Sequence, residues 1–279
     1  MSEDGTIPSA EALRQAILSA LGEISGRLAA EPRTAVDVHL ARRAAKRARA
    51  LARLAPPDLA TLARNTRDSV DNARRALGAA RDADVRAATL DILKPRLGAA
   101  HETLARLAAG AETAATPAVD IQPLREDIAA LIRDWRLCET DGGFDDIIAA
   151  ARLAYRRMRK RAKAARHGDS AALHRWRSAV VDYEYDADFL SGFAPAMKQA
   201  RREADRLRKH LGEINDLDEL AAYVGKRDAK DARAEIEQLE RISATRRAQL
   251  VNRAFARADK LLALKPAHWE KEIRQSCAR

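Results

Sequence analysis

The stretch Val38–Leu54, VHLARRAAKRARALARL, decides how this chain reads. His39, Arg42, Lys46, Arg49 and Arg53 fall three, four, three and four residues apart. At about 100° per residue they form one line down an α-helix. Arg43 and Arg47 widen that side, while Leu40, Ala41, Ala44, Ala48 and Leu51 lie opposite. The helix is therefore apolar on one face and purely cationic on the other. Like charges at this spacing repel by a few tenths of a kcal/mol per pair. No acidic residue between His39 and Asp58 relieves them. The pattern makes sense if an external polyanion supplies the missing charge.

Two further segments carry the same signal. Arg152–Arg166, RLAYRRMRKRAKAAR, places Arg152, Arg156, Arg159 and Lys163 in a row, with Arg157, Lys160 and Arg161 beside it and no acidic residue. A weaker cluster, Lys198, Arg201, Arg202, Arg206, Arg208 and Lys209, is diluted by Glu203 and Asp205. The alternative for each is a solvated helix face, and it weighs most for the third.

Outward from these stripes, helical spacing continues almost everywhere and no stretch alternates as a strand would. Helices are expected over Ser9–Ala30 with Ser9 as N-cap, Ala35–Ala55, from Asp58 to Gly78, Asp82–Leu93 and Arg96–Ala109. After Gly110–Gln122, a small and polar stretch read as a linker, they are expected near Pro123–Glu139, Phe144–Arg166, Ser170–Leu190, Pro195–Leu211, Asn215–Val224 and Asp228–Leu264. Pro95 and Gly212 are read as breaks, and the last dozen residues as frayed. The division is an N-terminal half (1–115), a linker (116–122) and a C-terminal half (123–279) of one domain spanning 1–279.

An internal repeat runs through both halves. His39-x-x-Arg42 is followed by Leu77-Gly78-x-x-Arg81-Asp82-x-Asp84. His174-x-x-Arg177 is followed by Leu211-Gly212-x-x-Asn215-Asp216-x-Asp218. Both landmarks recur at an offset of about 135 residues, which points to a duplicated helical bundle.

The bulk numbers set limits. With 279 residues the chain can bury a large core, yet aromatics make up only 4%, so Leu, Ala, Ile and Val must build it. The 51 Lys and Arg exceed the 41 Asp and Glu by ten, an excess that attracts polyanions. Two cysteines, Cys138 and Cys277, make neither a disulfide framework nor a metal cluster. No signal-peptide pattern and no membrane-spanning run is seen, so a cytoplasmic location is expected. No Gly-rich phosphate loop and no nucleophile–base pair is found, so neither catalysis nor a cofactor nor a metal is expected.

The motifs His39-x-x-Arg42-x-x-x-Lys46-Arg47-x-Arg49, Leu77-Gly78-x-x-Arg81-Asp82-x-Asp84-Val85, Tyr155-Arg156-Arg157-x-Arg159-Lys160 and Leu173-His174-x-x-Arg177 through Tyr185 together resemble the CHAD family, the conserved histidine α-helical domain. The resemblance implies an all-α fold of two pseudo-symmetric four-helix bundles facing each other across a basic central channel. It implies binding of inorganic polyphosphate, without catalysis, and association with polyphosphate granules. No Glu- and Lys-alternating strand pattern of the triphosphatase-type domain that accompanies many relatives is seen, so the chain reads as a stand-alone copy. Where the family's second half continues with basic residues, this chain has Val181, Asp182 and Glu184.

Candidate polyphosphate contacts are then His39, Arg42, Arg43, Lys46, Arg49, Arg53 and Arg81 from the first half. From the second come Arg152, Arg156, Arg157, Arg159, Lys160, Lys163, His174, Arg177, Arg208 and Lys209. Arg offers a planar fork to phosphate and Lys a point charge. The two histidines either touch phosphate or sit neutral on an internal partner. Asp82, Asp84, Asp216 and Asp218 are read as helix caps or ion-pair partners rather than metal ligands. Trp135 is expected in the core, and Trp176 at the channel rim. A general nucleic-acid or polyanion binder shares the electrostatics and is the alternative, although no helix-turn-helix, zinc or RNP signature supports it.

Overall fold

A computed structural model describes residues 7–32, 34–109, 120–227 and 230–277, with the side chains of residues 79–82 outside that description. Among the described residues there is no strand. The α-helices are α1 (Ala10–Ala29), α2 (Ala35–Leu51), α3 (Ala60–Ala76), α4 (Ala79–Leu97), α5 (Ala100–Ala109), α6 (Gln122–Leu137), α7 (Phe144–Ala165), α8 (Ser170–Leu190), α9 (Ala196–Gly225), α10 (Arg233–Leu261) and α11 (Pro266–Cys277). Most of the expected linker, residues 110–119, lies outside the described part.

Local chemistry explains the starts. Ser9 accepts a hydrogen bond from the Ala12 amide at 3.1 Å, capping α1. Thr34 and Asp37 form a reciprocal capping box on α2, and Asp169 caps α8 through the Ala172 amide at 2.9 Å. Each such cap contributes about 1 kcal/mol.

Three expectations are corrected. Pro95 lies inside α4, in its last turn, where only one backbone bond is lost; Gly98, at φ 56°, ends the helix instead. Gly212 does not break α9, which runs on to Gly225. A helical glycine costs about 1 kcal/mol, and the buried stripe Leu207, Leu211, Ile214, Leu217 and Leu220 outweighs it, since each buried Leu or Ile contributes ~1.5–3 kcal/mol. The C-terminal residues form α11, held down by buried Trp269, Ile273 and Cys277.

The helices pack as interlocked groups. Helix α2 lies against α1 and α3, and α6 packs on α1 and α3. In the second half α8 lies against α7 and α9, and α11 packs on α7 and α9. Helices α4 and α5 lean on α9 and α10, while α2 and α8 meet each other. The alanine face of α2 (Ala41, Ala44, Ala45, Ala48) is fully buried, which lets both neighbours come close. Trp135 of α6 is core, as expected, and donates to Thr66 of α3 at 2.8 Å. Trp269 of α11 donates to Tyr183 of α8 at 3.2 Å. Trp176 is also fully buried, stacked on Phe255, and not at a rim.

Candidate functional site: a cationic cleft between α2, α8 and α9

A cleft of about 490 Å³ opens where α2, α8 and α9 converge. His39, Arg42, Arg43 and Lys46 come from α2, Arg177, Val181, Glu184 and Tyr185 from α8, and Arg201, Arg202, Asp205, Arg208 and Lys209 from α9. Eight guanidinium and ammonium groups thus face two carboxylates.

Each landmark of the repeat holds one of these arginines. Arg42 donates to the Arg74 carbonyl beside Gly78. A Cβ at Gly78 would stand 2.9 Å from the Arg75 carbonyl oxygen and 3.3 Å from the Arg42 guanidinium, so only glycine leaves this approach open. Arg177 lies near Gly212, with its Nε 3.7 Å from where a Cβ would be, an ordinary contact that leaves room for a side chain.

The acidic residues in the cleft act as internal counter-ions. Glu184 pairs with Arg208 at 2.6 Å. Asp205 accepts from Arg208 at 2.5 Å and pairs with Lys209 at 2.8 Å. Burial pushes the Glu184 carboxyl above its ordinary value, against the pull of Arg208. Burial also works to raise Asp205, but the hydrogen bonds from Lys209 and Arg208 outweigh it and hold Asp205 below its ordinary value. Arg201 reaches Asp188 at 2.7 Å.

Not every cation of the sequence stripes arrives here. Arg49 and Arg53 continue the α2 row but pass under α8. Arg49 is buried, pairing with Asp182 at 2.7 Å and Asp71 at 3.3 Å, and Arg53 pairs with Asp182 at 3.4 Å. Burial alone would lower the Arg49 pKa, but these two carboxylates raise it. Beside them Asp186 is fully enclosed, with neither carboxylate oxygen hydrogen-bonded. Burial and the neighbouring Asp182 drive its pKa well above the ordinary carboxylate value, against the pull of Arg53 and Arg157. These residues join the halves instead of lining the cleft.

The α7 row is also placed elsewhere. Arg159 donates to the Leu262 and Leu264 carbonyls at the end of α10, next to Tyr155, which donates to Leu264 at 3.0 Å. Arg152 pairs with Glu270 of α11 at 3.1 Å. Arg156, Arg157, Lys160 and Lys163 are exposed, and none of them lines the cleft. His174 is exposed, with its Nδ1 2.7 Å from Asn215 Oδ1, and it too stays outside. The Arg81 side chain lies outside the described residues. Asp218 pairs with Arg247 at 2.9 Å, an ion-pair role. Asp216 sits within continuous α9 and caps no helix.

The sequence stripes undervalued α9. Arg201 and Arg202 complete the cleft, and only their spacing with Arg208 and Lys209 along one helix announced them. No group of three or more potential metal ligands occurs among the described residues. No described helix is long and apolar enough to cross a membrane.

Fold and cleft together define an all-helical protein with an open cationic site. The family model of the CHAD domain matches residues 12–225, and the chain belongs to that family. The matched region runs from α1 to the end of α9 and holds the whole cleft; α10 and α11 lie beyond it. No curated protein and no solved structure matches the chain.

Proposed function

We propose that the chain binds inorganic polyphosphate in the cleft between α2, α8 and α9, without acting on it chemically. The observation that carries this reading is the convergence of eight cationic side chains from three helices on one open cleft, in a chain of the CHAD family. A polyphosphate chain has closely spaced anionic groups and no bases. It needs cations at short intervals and no stacking platform, whereas nucleic-acid clefts add open aromatic faces. Trp176, the tryptophan beside the His174 motif, is buried against Phe255, and the single aromatic residue lining the cleft, half-buried Tyr185, is tied through its hydroxyl to the Arg43 carbonyl at 3.4 Å. The cleft carboxylates Glu184 and Asp205 are both tied to Arg208, so they serve as counter-ions, not as a catalytic pair. Association with polyphosphate granules follows from this affinity.

The same reading treats the two halves as a duplication with a pseudo-two-fold axis between α2 and α8. Four features support it. Arg42 and Arg177 pack on Gly78 and Gly212. The Asp71–Arg74 and Asp205–Arg208 pairs occupy matching places on α3 and α9. Helix α6 stands to α1 and α3 as α11 stands to α7 and α9. Trp135 and Trp269 anchor those two helices. In this arrangement the α2–α9 cleft is the strongly cationic site, whereas the matching surface of α3 carries Asp68 and Asp71 beside Arg74 and Arg75.

A competition titration at physiological salt tests the proposal. Labelled long-chain polyphosphate is bound, then challenged with single-stranded DNA, duplex DNA and RNA at equal phosphate concentration. Weak competition is the expected outcome. Nucleic acids that compete as well as polyphosphate would make the cleft a general polyanion site and overturn the assignment.

A further inference from the structure

We infer that a second groove, formed by α9, α10 and α11, is a binding site for an amphipathic anion: an unbranched alkyl chain ending in a carboxylate or phosphate. The inference is independent of the polyphosphate reading, because the groove shares no lining residue with the cationic cleft.

The groove encloses about 890 Å³, within the range of small-molecule sites. Its direction is fixed by contacts across α9 and α10. Arg246 pairs with Glu213 at 2.6 Å and Arg257 with Glu203 at 2.9 Å, so the two helices run antiparallel. The first turn of α9 lies beside α11, where the Ala196 amide meets Ser276 Oγ at 3.3 Å.

Chemistry separates along this axis. At the α11 end the lining is Met197, Ala200, Leu264, Trp269 and Ile273. At the other end Arg206 and His210 of α9 face Arg253 and Arg257 of α10, with Lys260 nearer the middle. Two carboxylates also line the groove. Glu203 is already bound by Arg206 at 2.6 Å and Arg257 at 2.9 Å, and Glu272 is exposed on the rim. Arg257 Nε lies 3.3 Å from His210 Nε2. Burial, with Arg257 and Arg253 close by, lowers the pKa of His210, so the positive charge of this end rests on Arg206, Arg253, Arg257 and Lys260.

The apolar end selects an alkyl chain over a base or aromatic ring. Trp269 and Tyr183 are buried and engaged with each other and with Tyr155, which stacks on Trp269 at 5.0 Å, so no aromatic face is open for stacking. What remains exposed to an occupant is the aliphatic surface of Ala200, Ala256, Leu261 and Leu264, over buried Met197 and Ile273, next to a cationic end. An amphipathic anion satisfies both, and a neutral chain or a small anion satisfies only one.

Calorimetric titration of the full chain with monomeric dodecanoate tests this, with dodecyl phosphate as the second head group, and dodecanol and acetate as single-feature controls. Saturable one-to-one binding of at least one dodecyl anion, at least tenfold tighter than either control, is expected; which anion binds tighter identifies the head group. Ala200→Trp, which fills the apolar end, should abolish binding. Arg253→Glu/Lys260→Glu reverses two exposed charges that enter no ion pair among the described residues and should weaken binding at least tenfold, so the test does not depend on Ala200→Trp folding. Equal binding of dodecanol, no binding of either dodecyl anion, or unchanged binding in the charge-reversal variant would overturn the inference.

Discussion

Helices α2 and α7 carry nearly the same charge pattern, and the fold uses them in opposite ways. Both are rows of Arg and Lys without an interleaved carboxylate. On α2 the row begins in an open cleft, with His39, Arg42, Arg43 and Lys46 facing α8 and α9. On α7 it divides: Arg152 and Arg159 hold α11 and the end of α10, Arg157 lies within electrostatic reach of Arg53, Asp182 and Asp186, and Arg156, Lys160 and Lys163 are exposed outside the cleft. A cationic stripe in a sequence therefore marks a helix that needs counter-charge. It does not say whether another helix or a ligand supplies it.

The comparison can be broken at its buried end first. Asp182→Ala leaves Arg49 enclosed with only the 3.3 Å contact to Asp71. Losing one partner of a buried pair costs ~3–5 kcal/mol, and chemical denaturation should show a loss of that order. A loss below about 1 kcal/mol would mean that the closed end of the α2 row contributes no more than a surface pair.

The next effect concerns the internal counter-ions. The Glu184 carboxyl titrates above its ordinary 4.5 because it is buried. As the pH falls toward that raised value Glu184 takes up a proton and releases Arg208, so affinity for polyphosphate should rise. Glu184→Gln should bind several-fold tighter at neutral pH, on the order of 1 kcal/mol, with a flatter pH profile from direct titration. Stability follows the same sign: a carboxyl whose folded pKa is raised stabilises at low pH, and that contribution is lost as the pH rises through the folded value. A wild-type affinity independent of pH would remove Glu184 from the account.

The smallest effect belongs to α7. Arg152→Ala removes a half-exposed pair with Glu270, a change of less than about 1 kcal/mol. Thermal unfolding should shift slightly, and polyphosphate affinity should stay at the wild-type value. A clear loss of affinity would place α7 in the binding surface.

Much of this was legible in the sequence. The all-helical class, the starts of α1 and α8 and the buried Trp135 follow from spacing and capping residues. What was not legible depended on tertiary partners. Gly212 reads as a break, but a buried leucine stripe carries α9 through it. The end of the chain reads as frayed because nothing local announces that Trp269 reaches Tyr183. Arg49 looks identical to Lys46 along the helix, and distant carboxylates, Asp182 133 residues away and Asp71 on α3, separate their fates. The α9 cluster looked weak because Glu203 and Asp205 dilute it. In the fold Glu203 turns to Arg206 and Arg257, while Asp205 pairs within the cleft.

The most direct test of the central claim compares two charge reversals by polyphosphate titration at physiological salt: Arg43→Glu/Lys46→Glu/Arg202→Glu in the cleft, and Arg156→Glu/Lys160→Glu/Lys163→Glu on α7. Both change net charge equally, so loss of long-range attraction cancels and local contact remains. Charge-assisted contacts contribute about 1.5–3 kcal/mol each, so the cleft variant should lose affinity at least about a hundredfold more than the α7 variant. Equal losses, or a larger loss on α7, would contradict the assignment of polyphosphate to the α2–α8–α9 cleft.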